Sequence, residues 1–289
     1  MSKAFGIINF AGNDVQVNGM LDYRPIGAFS FLGRYRVIDF PISNMSNSGI
    51  DVMQVYVRRK PRSLVEHLGT GRHYNINSKR GKLNILFAET IEENNVYNTD
   101  IAAYIENFDC FDEIDSEYVV LAPSYMIYTA DYNTFLQSHI ESGADITLMY
   151  FDNSDDSTNC DYDGVYLKTD EDDKVLDMCY SEGKHRSNKK SMDAYIMKTT
   201  LLIDFIETAI AHNKKHFFFD VIVPNFDRLV IQGYEYKGYV GCITSLEAYY
   251  NVNMDMLKPD VYKELFLGNR RIYTKSADGA PAKYGPNAK

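Results

Sequence analysis

Short apolar runs, each separated from the next by a segment of helical character, recur along the chain and restrict it to one architectural class. The runs are Ala4 to Phe10, Val52 to Val57, Tyr118 to Ala122, Ile146 to Phe151 and Ala194 to Met197. They read as strands buried on both faces. Between them Pro41 to Gly49, Ser63 to Leu68, Thr99 to Phe108, Tyr132 to Ser142 and Leu201 to His212 read as helices, several closed by Gly or Asn. Alternation of this kind predicts an α/β, three-layer fold with a mainly parallel sheet and a ligand crevice at the carboxyl ends of its strands. The Asp131-x-x-Thr134 start and the Gly143 stop bracket one helix. Phe135, Leu136, His139 and Ile140 have the spacing of its buried stripe, so His139 reads as a packed residue rather than a ligand.

Composition narrows the class of partner. With 289 residues, 45% of them hydrophobic, the chain can bury a sizeable core. A formal charge of -10 argues against nucleic acid and anionic membranes, which recruit positive fields. No apolar run approaches the roughly 18 residues of a membrane span, and Met1-Ser2-Lys3 leads into a strand rather than a signal peptide. Cys110, Cys160, Cys179 and Cys242 lie far apart with no C-x-x-C pair, so reduced thiols in a cytoplasmic protein are expected. The 23 tyrosines are expected to pack.

Asp152 to Asp173 carries nine acidic residues and one lysine, Lys168, around Gly164-Val165-Tyr166-Leu167. It reads as a solvated loop and edge hairpin, without the spacing or central Gly of a calcium loop. Two basic clusters stand out: Arg58-Arg59-Lys60-Pro61-Arg62 with Arg72, Lys79, Arg80 and Lys82, and Lys184-His185-Arg186 with Lys189 and Lys190. Positive charge concentrated after strand ends suggests an anion such as a phosphate, although solvated loops account for most such clusters. Neither a G-x-G-x-x-G nor a Walker loop, a G-x-S-x-G elbow or an H-E-x-x-H occurs, and the six histidines have no metal-ligand spacing with the cysteines. The stretch from Lys275 to Lys289, rich in Gly, Ala, Pro and Lys, reads as a linker.

The stretch Gly33-Arg34-Tyr35-Arg36-Val37-Ile38-Asp39-Phe40-Pro41-Ile42-Ser43-Asn44-Met45-Ser46-Asn47-Ser48-Gly49-Ile50 is more specific than any of these. It closely resembles a block of the glucose-1-phosphate adenylyltransferases, the ADP-glucose pyrophosphorylases. Supporting similarity runs through Gly69-Thr70-Gly71-Arg72, Asn98 to Ala102, Glu117 to Ala122, Ser191 to Tyr195, Asp220 to Pro224 and Ser245 to Tyr249. The resemblance implies a nucleotidyltransferase domain over residues 1–257. It also implies a linker over 258–289 towards a C-terminal left-handed β-helix domain that these residues do not include. In that family the sugar-phosphate oxygen attacks the α-phosphorus of ATP, a reaction that needs phosphate donors, Mg²⁺-holding carboxylates and a sugar-phosphate clamp.

Residue by residue, the resemblance is uneven. The family's polyphosphate loop falls on Asn9 to Val15, where only Gly12 matches and Asn13 and Asp14 follow. Asp14 would stand where the family has a phosphate-facing Arg. At about 4 Å and an effective dielectric of about 20, a charge pair is worth roughly 4 kcal/mol, so the reversal opposes ATP. One metal-holding Asp falls in the stretch around Ser124 and Tyr125, which has no carboxylate, and the other at Cys242. Mg²⁺ demands hard oxygen donors, which a thiol supplies poorly. The sugar-phosphate motif is echoed by Glu182 and Lys184 with Gly183 inserted, Arg24 replaces a Lys, and Asp220 reads as a remnant of the sugar site.

This pattern resembles a GlgD-type regulatory subunit of bacterial glycogen biosynthesis. The resemblance implies an inactive or weakly active chain without a metal or cofactor of its own, assembled with a catalytic GlgC-type subunit in a hetero-oligomer, expected as a tetramer. Mg²⁺ belongs only to active members. Two other readings stand beside it. One is an active adenylyltransferase with substitute ligands such as Asp14, Asp22 or Asp131. The other is a module binding a small phosphorylated ligand through Arg58, Arg59, Arg62, Arg72 or Arg186. Asp39 and Asn44 read as structural, Asp39 at a helix start or beside Arg36, Asn44 bonding backbone locally.

Overall fold

The computed structural model describes residues 3–10, 17, 19–58, 60–76, 79, 81–87, 100–154, 160, 164–181, 187–214 and 216–276. The strands in chain order are β1 (Ala4–Asn9), β2 (Ser30–Phe31), β3 (Tyr35–Arg36), β4 (Val52–Val57), β5 (Lys82–Phe87), β6 (Tyr118–Pro123) and β7 (Met126–Ile127). They continue as β8 (Ile146–Asp152), β9 (Gly164–Thr169), β10 (Val175–Ser181), β11 (Lys189–Lys198), β12 (Ile231–Glu235) and β13 (Gly241–Cys242). The helices are α1 (Asp39–Asn47), α2 (Arg62–Leu68), α3 (Asp100–Glu106), α4 (Tyr132–Ser142), α5 (Thr199–His212), α6 (Leu246–Asp255) and α7 (Pro259–Tyr262). None among the described residues is long and apolar enough to cross a membrane.

Nine strands form the central sheet in the order β10-β9-β11-β6-β1-β4-β5, with β8 on β11 and β12 on β8. Following the pairings, β1, β4, β5, β6, β8, β9 and β12 point one way, and β10 and β11 run against them. The mainly parallel sheet is therefore as expected, with one long reversed strand spliced in. Two short sheets, β2 with β3 and β7 with β13, flank it.

The period-two rule divides each strand between two cores. Phe5 and Ile7 of β1 and Val119 and Leu121 of β6 join α3 and α5 through Ile101, Tyr104, Leu202 and Ile206. Ala4, Ile8, Val120 and Ala122 face the other way, onto Phe40 and Met45 of α1 and Phe135 of α4. Those two layers of helix around one sheet make the three-layer architecture. α4 starts and stops where its sequence signals it: Asp131 accepts the Asn133 amide at 2.9 Å, and Gly143 ends it at φ 63°, a left-handed position suited to glycine.

Several expectations need correction. Asp39 opens α1 as expected and meets Arg36 through the backbone rather than the guanidinium: its Oδ2 accepts the Arg36 amide at 2.8 Å, and its Oδ1 meets His67 Nε2 and the Tyr74 hydroxyl at 2.6 Å each. Asn44 bonds backbone far along the chain rather than locally. Its amide donates to Tyr128 O at 3.0 Å, and its Oδ1 accepts from Ala130 N at 3.2 Å. A linker beginning at 258 does not match the packing, because Leu265, Ile272 and Thr274 are buried and Tyr273 N donates to Ser43 Oγ at 2.8 Å. Apolar side chains inside 258–274 gain more from the core than from solvent; residues 277–289 lie outside the described set.

Candidate functional site

The parallel strands deliver their carboxyl ends to one side of the sheet, and the two stretches expected to have carried metal carboxylates meet there. β7, two residues beyond β6, pairs antiparallel with β13, so Cys242 lies opposite Met126, and Ile243 N donates to Tyr125 O at 2.9 Å. The two positions that the resemblance assigns to metal carboxylates are thus neighbours, and neither is a carboxylate. Ser124 and Tyr125 are buried, and the Tyr125 hydroxyl donates to Asp193, which β11 brings in at a bulge with φ 50°. Burial pushes the Asp193 carboxyl above the usual carboxylate range, against the opposing pull of Tyr125 and of the Lys190 charge.

The expectation of reduced thiols fails at this place, since Cys242 is joined to Cys160 by a disulfide with Cα atoms 5.1 Å apart. Sequence separation, 82 residues, hid the pair; the fold closes it by bringing β13 against the connection that precedes β9. Cys110 and Cys179 are free. These residues do not fit Mg²⁺. Sulfurs bonded to each other cannot ligate a hard cation, the Asp193 carboxylate is held by a phenol, and the Lys190 ammonium occupies the same neighbourhood. Among the described residues no group of three or more His, Cys, Asp or Glu is arranged to hold a metal.

Other expected site residues fall in different places. Gly12, Asn13, Asp14, Arg59, Glu182, Lys184 and Arg186 lie outside the described residues. Arg58, just after β4, stacks its guanidinium 5.9 Å from the Phe10 ring centre, at the ends of neighbouring parallel strands. Arg62 is exposed and paired with Glu66 at 3.0 Å, and Arg72 is exposed. Asp220 Oδ2 accepts the His216 amide at 2.9 Å, capping its own π-helical turn, Phe217–Ile222. As for substitute metal ligands, Asp131 is committed to capping α4 and to an ion pair with Arg270.

A basic cleft of about 520 Å³ gathers a set that sequence reading did not assemble. Arg24, Arg34, Arg36, His67 and Lys275 line it against a single carboxylate, Glu66. Arg36 is oriented by donating to Ala28 O at 3.0 Å and Ser30 Oγ at 2.7 Å. The hydroxyl of Ser63, also in the wall, is buried with no hydrogen-bond partner among the described residues. Such a set of basic donors suits an anion with several oxygens. The signal in the sequence was local: Arg34 and Arg36 stand two apart, Arg34 in the turn between β2 and β3 and Arg36 in β3.

Comparison with known proteins agrees with the architecture. The model of the family described as Nucleotidyl transferase matches residues 23–238. Glucose-1-phosphate adenylyltransferase of Clostridium novyi is 31% identical over 265 residues, 90% of this chain and 69% of that protein. Glycogen biosynthesis protein GlgD of Geobacillus stearothermophilus is 31% identical over 288 residues, 98% of this chain and 72% of its relative. GlgD of Bacillus subtilis is 26% identical over 289 residues, 99% of this chain and 73% of that protein. With a mainly parallel sheet and similarity over nearly its whole length, the chain belongs to the nucleotidyl transferase family, alongside the glucose-1-phosphate adenylyltransferases and GlgD proteins.

Proposed function

We propose that this protein is a GlgD-type subunit of glucose-1-phosphate adenylyltransferase in bacterial glycogen biosynthesis, catalytically impaired by itself and working in the cytoplasm with a catalytic GlgC-type subunit. One observation carries this reading: the two metal-carboxylate positions implied by the family resemblance sit side by side, and carry a disulfide and a buried tyrosine in place of hard oxygen ligands. A reaction of this class relies on such a cation to offset the charge of the triphosphate during transfer. The test is ADP-glucose synthesis with Mg²⁺ by the chain alone, by the partner, and by both. The chain alone is expected to give no turnover and the mixture to differ from the partner in rate or effector response. Robust synthesis by the purified chain sinks the proposal.

The basic cleft favours a second role within the same assembly, as the seat of a small phosphorylated effector. Arg36 is pre-oriented there, so its removal costs a charge-assisted bond on the order of 1.5 to 3 kcal/mol. Arg36→Ala is expected to weaken the binding of a phosphate ester by about tenfold or more in calorimetry. Unchanged affinity excludes the cleft.

A further inference from the structure

The basic cleft holds more positive charge than the residues around it balance. Among the described residues none of Arg24, Arg34, Arg36 and Lys275 makes an ion pair, and the carboxylate of Glu66 in the same wall is taken by Arg62 at 3.0 Å. Like charges gathered in one cleft repel, so holding Lys275 there has a cost. Its Nζ donates to a neutral group, the Glu66 backbone carbonyl, at 2.6 Å. What brings it to the cleft is a segment without regular secondary structure, residues 271–276, tied to α1. Ser43 and Asn47 stand four apart on that helix and therefore on one face. The Asn47 amide donates to Arg271 O at 2.9 Å, Ser43 Oγ accepts from Tyr273 N at 2.8 Å, and Ile272 between them is buried. Thr274 Oγ1 then donates at 3.5 Å to the carbonyl of Arg34, a residue of the cleft wall.

We propose that residues 271–275 are a strap whose docking on α1 seats Lys275 in the basic cleft, so that strap docking and anion binding favour one another. The inference rests on the cleft's proposed role as the seat of a phosphorylated ligand, and says how that seat is regulated. With no anion bound, a docked strap adds an ammonium to three unpaired guanidinium groups, and the repulsion loosens its hold. A bound anion makes the same arrangement attractive. The coupling is reciprocal, so a change that undocks the strap lowers affinity in the cleft as surely as the anion tightens the strap. Lys275 contacts the anion; Ser43 and Asn47 are positioning residues that act through it.

The experiment takes the full chain in inorganic phosphate or in chloride of equal ionic strength, which removes general screening as a cause. Amide hydrogen exchange is read by mass spectrometry, beside calorimetric affinity for phosphate. Phosphate is expected to slow exchange over 271–275 by about fivefold or more, the size of an ordinary coupling between sites. α5, packed in the core on the opposite side of the sheet, keeps its rate. Arg36→Ala is expected to abolish the slowing. Ser43→Ala and Asn47→Ala, neither in the cleft wall, are expected to weaken phosphate binding by about fivefold or more with an unchanged far-UV circular dichroism signal. Asn47 is the more exposed of the two, so its variant keeps the test open if Ser43→Ala does not fold. The strap is overturned and the cleft retained if the native chain binds phosphate but 271–275 exchange alike in both salts, or if Asn47→Ala binds phosphate as the native chain does. If the native chain binds phosphate no better than Arg36→Ala, the cleft and the strap fall together.

Discussion

At the scale of single residues, buried polar groups act as fasteners more than as chemistry. Asp39 holds a backbone amide, His67 and Tyr74 together, and Asn44 ties α1 to the segment after β7. His139 is a titratable case. It is 2% exposed, its Nδ1 lies 2.8 Å from Thr147 Oγ1, and burial together with nearby Lys198 lowers its pKa from the ordinary 6.5, against a weaker pull from Asp145. The folded chain keeps the imidazole neutral and the unfolded chain protonates it, so unfolding takes up a proton. Its contribution is complete above pH 6.5 and drains away as the pH falls below that value, at no more than about 1.4 kcal/mol per unit. Chemical denaturation between pH 7.5 and 5.5 should show stability falling more steeply in the native protein than in His139→Gln. Equal slopes would remove His139 as the source.

At the scale of elements, ends were easier to read than connections. α6 illustrates what a local signal is worth: Ser245 Oγ accepts the Ala248 amide at 3.0 Å, satisfying one of the donors a helix start leaves unpaired. Ser245→Ala is expected to lower stability by about 1 kcal/mol in urea unfolding, and no change would mean that solvent replaces the cap. Caps and apolar runs lie within a few residues, so β4 and α4 were legible to the residue and β1, α1 and α5 nearly so. The cystine, the partners of Asn44 and the basic cleft were not, because each joins residues from separate segments whose meeting depends on the completed sheet. Arg24 was noted singly, and nothing local says that Lys275 will share its cleft.

At the scale of the whole molecule, the sheet organises both the packing and the candidate site. Its two cores are fed by alternate residues of the same strands, and Tyr125 and Cys242, at the positions that the resemblance assigns to catalysis, belong to one of them. The resemblance to family blocks is dense in Gly33 to Ile50, which builds α1, and thin at Cys242 and Ser124. One topological fact reaches further. β1 occupies an interior lane of the sheet, between β4 and β6, and its second neighbour begins at Tyr118. During synthesis β1 leaves the ribosome before either of its neighbours, and more than a hundred further residues must emerge before both its edges are covered. Non-local pairing of this kind slows folding and prolongs exposure of sticky surface, so a nascent chain of this protein is a natural client for chaperones that shield β1 until translation has passed β6.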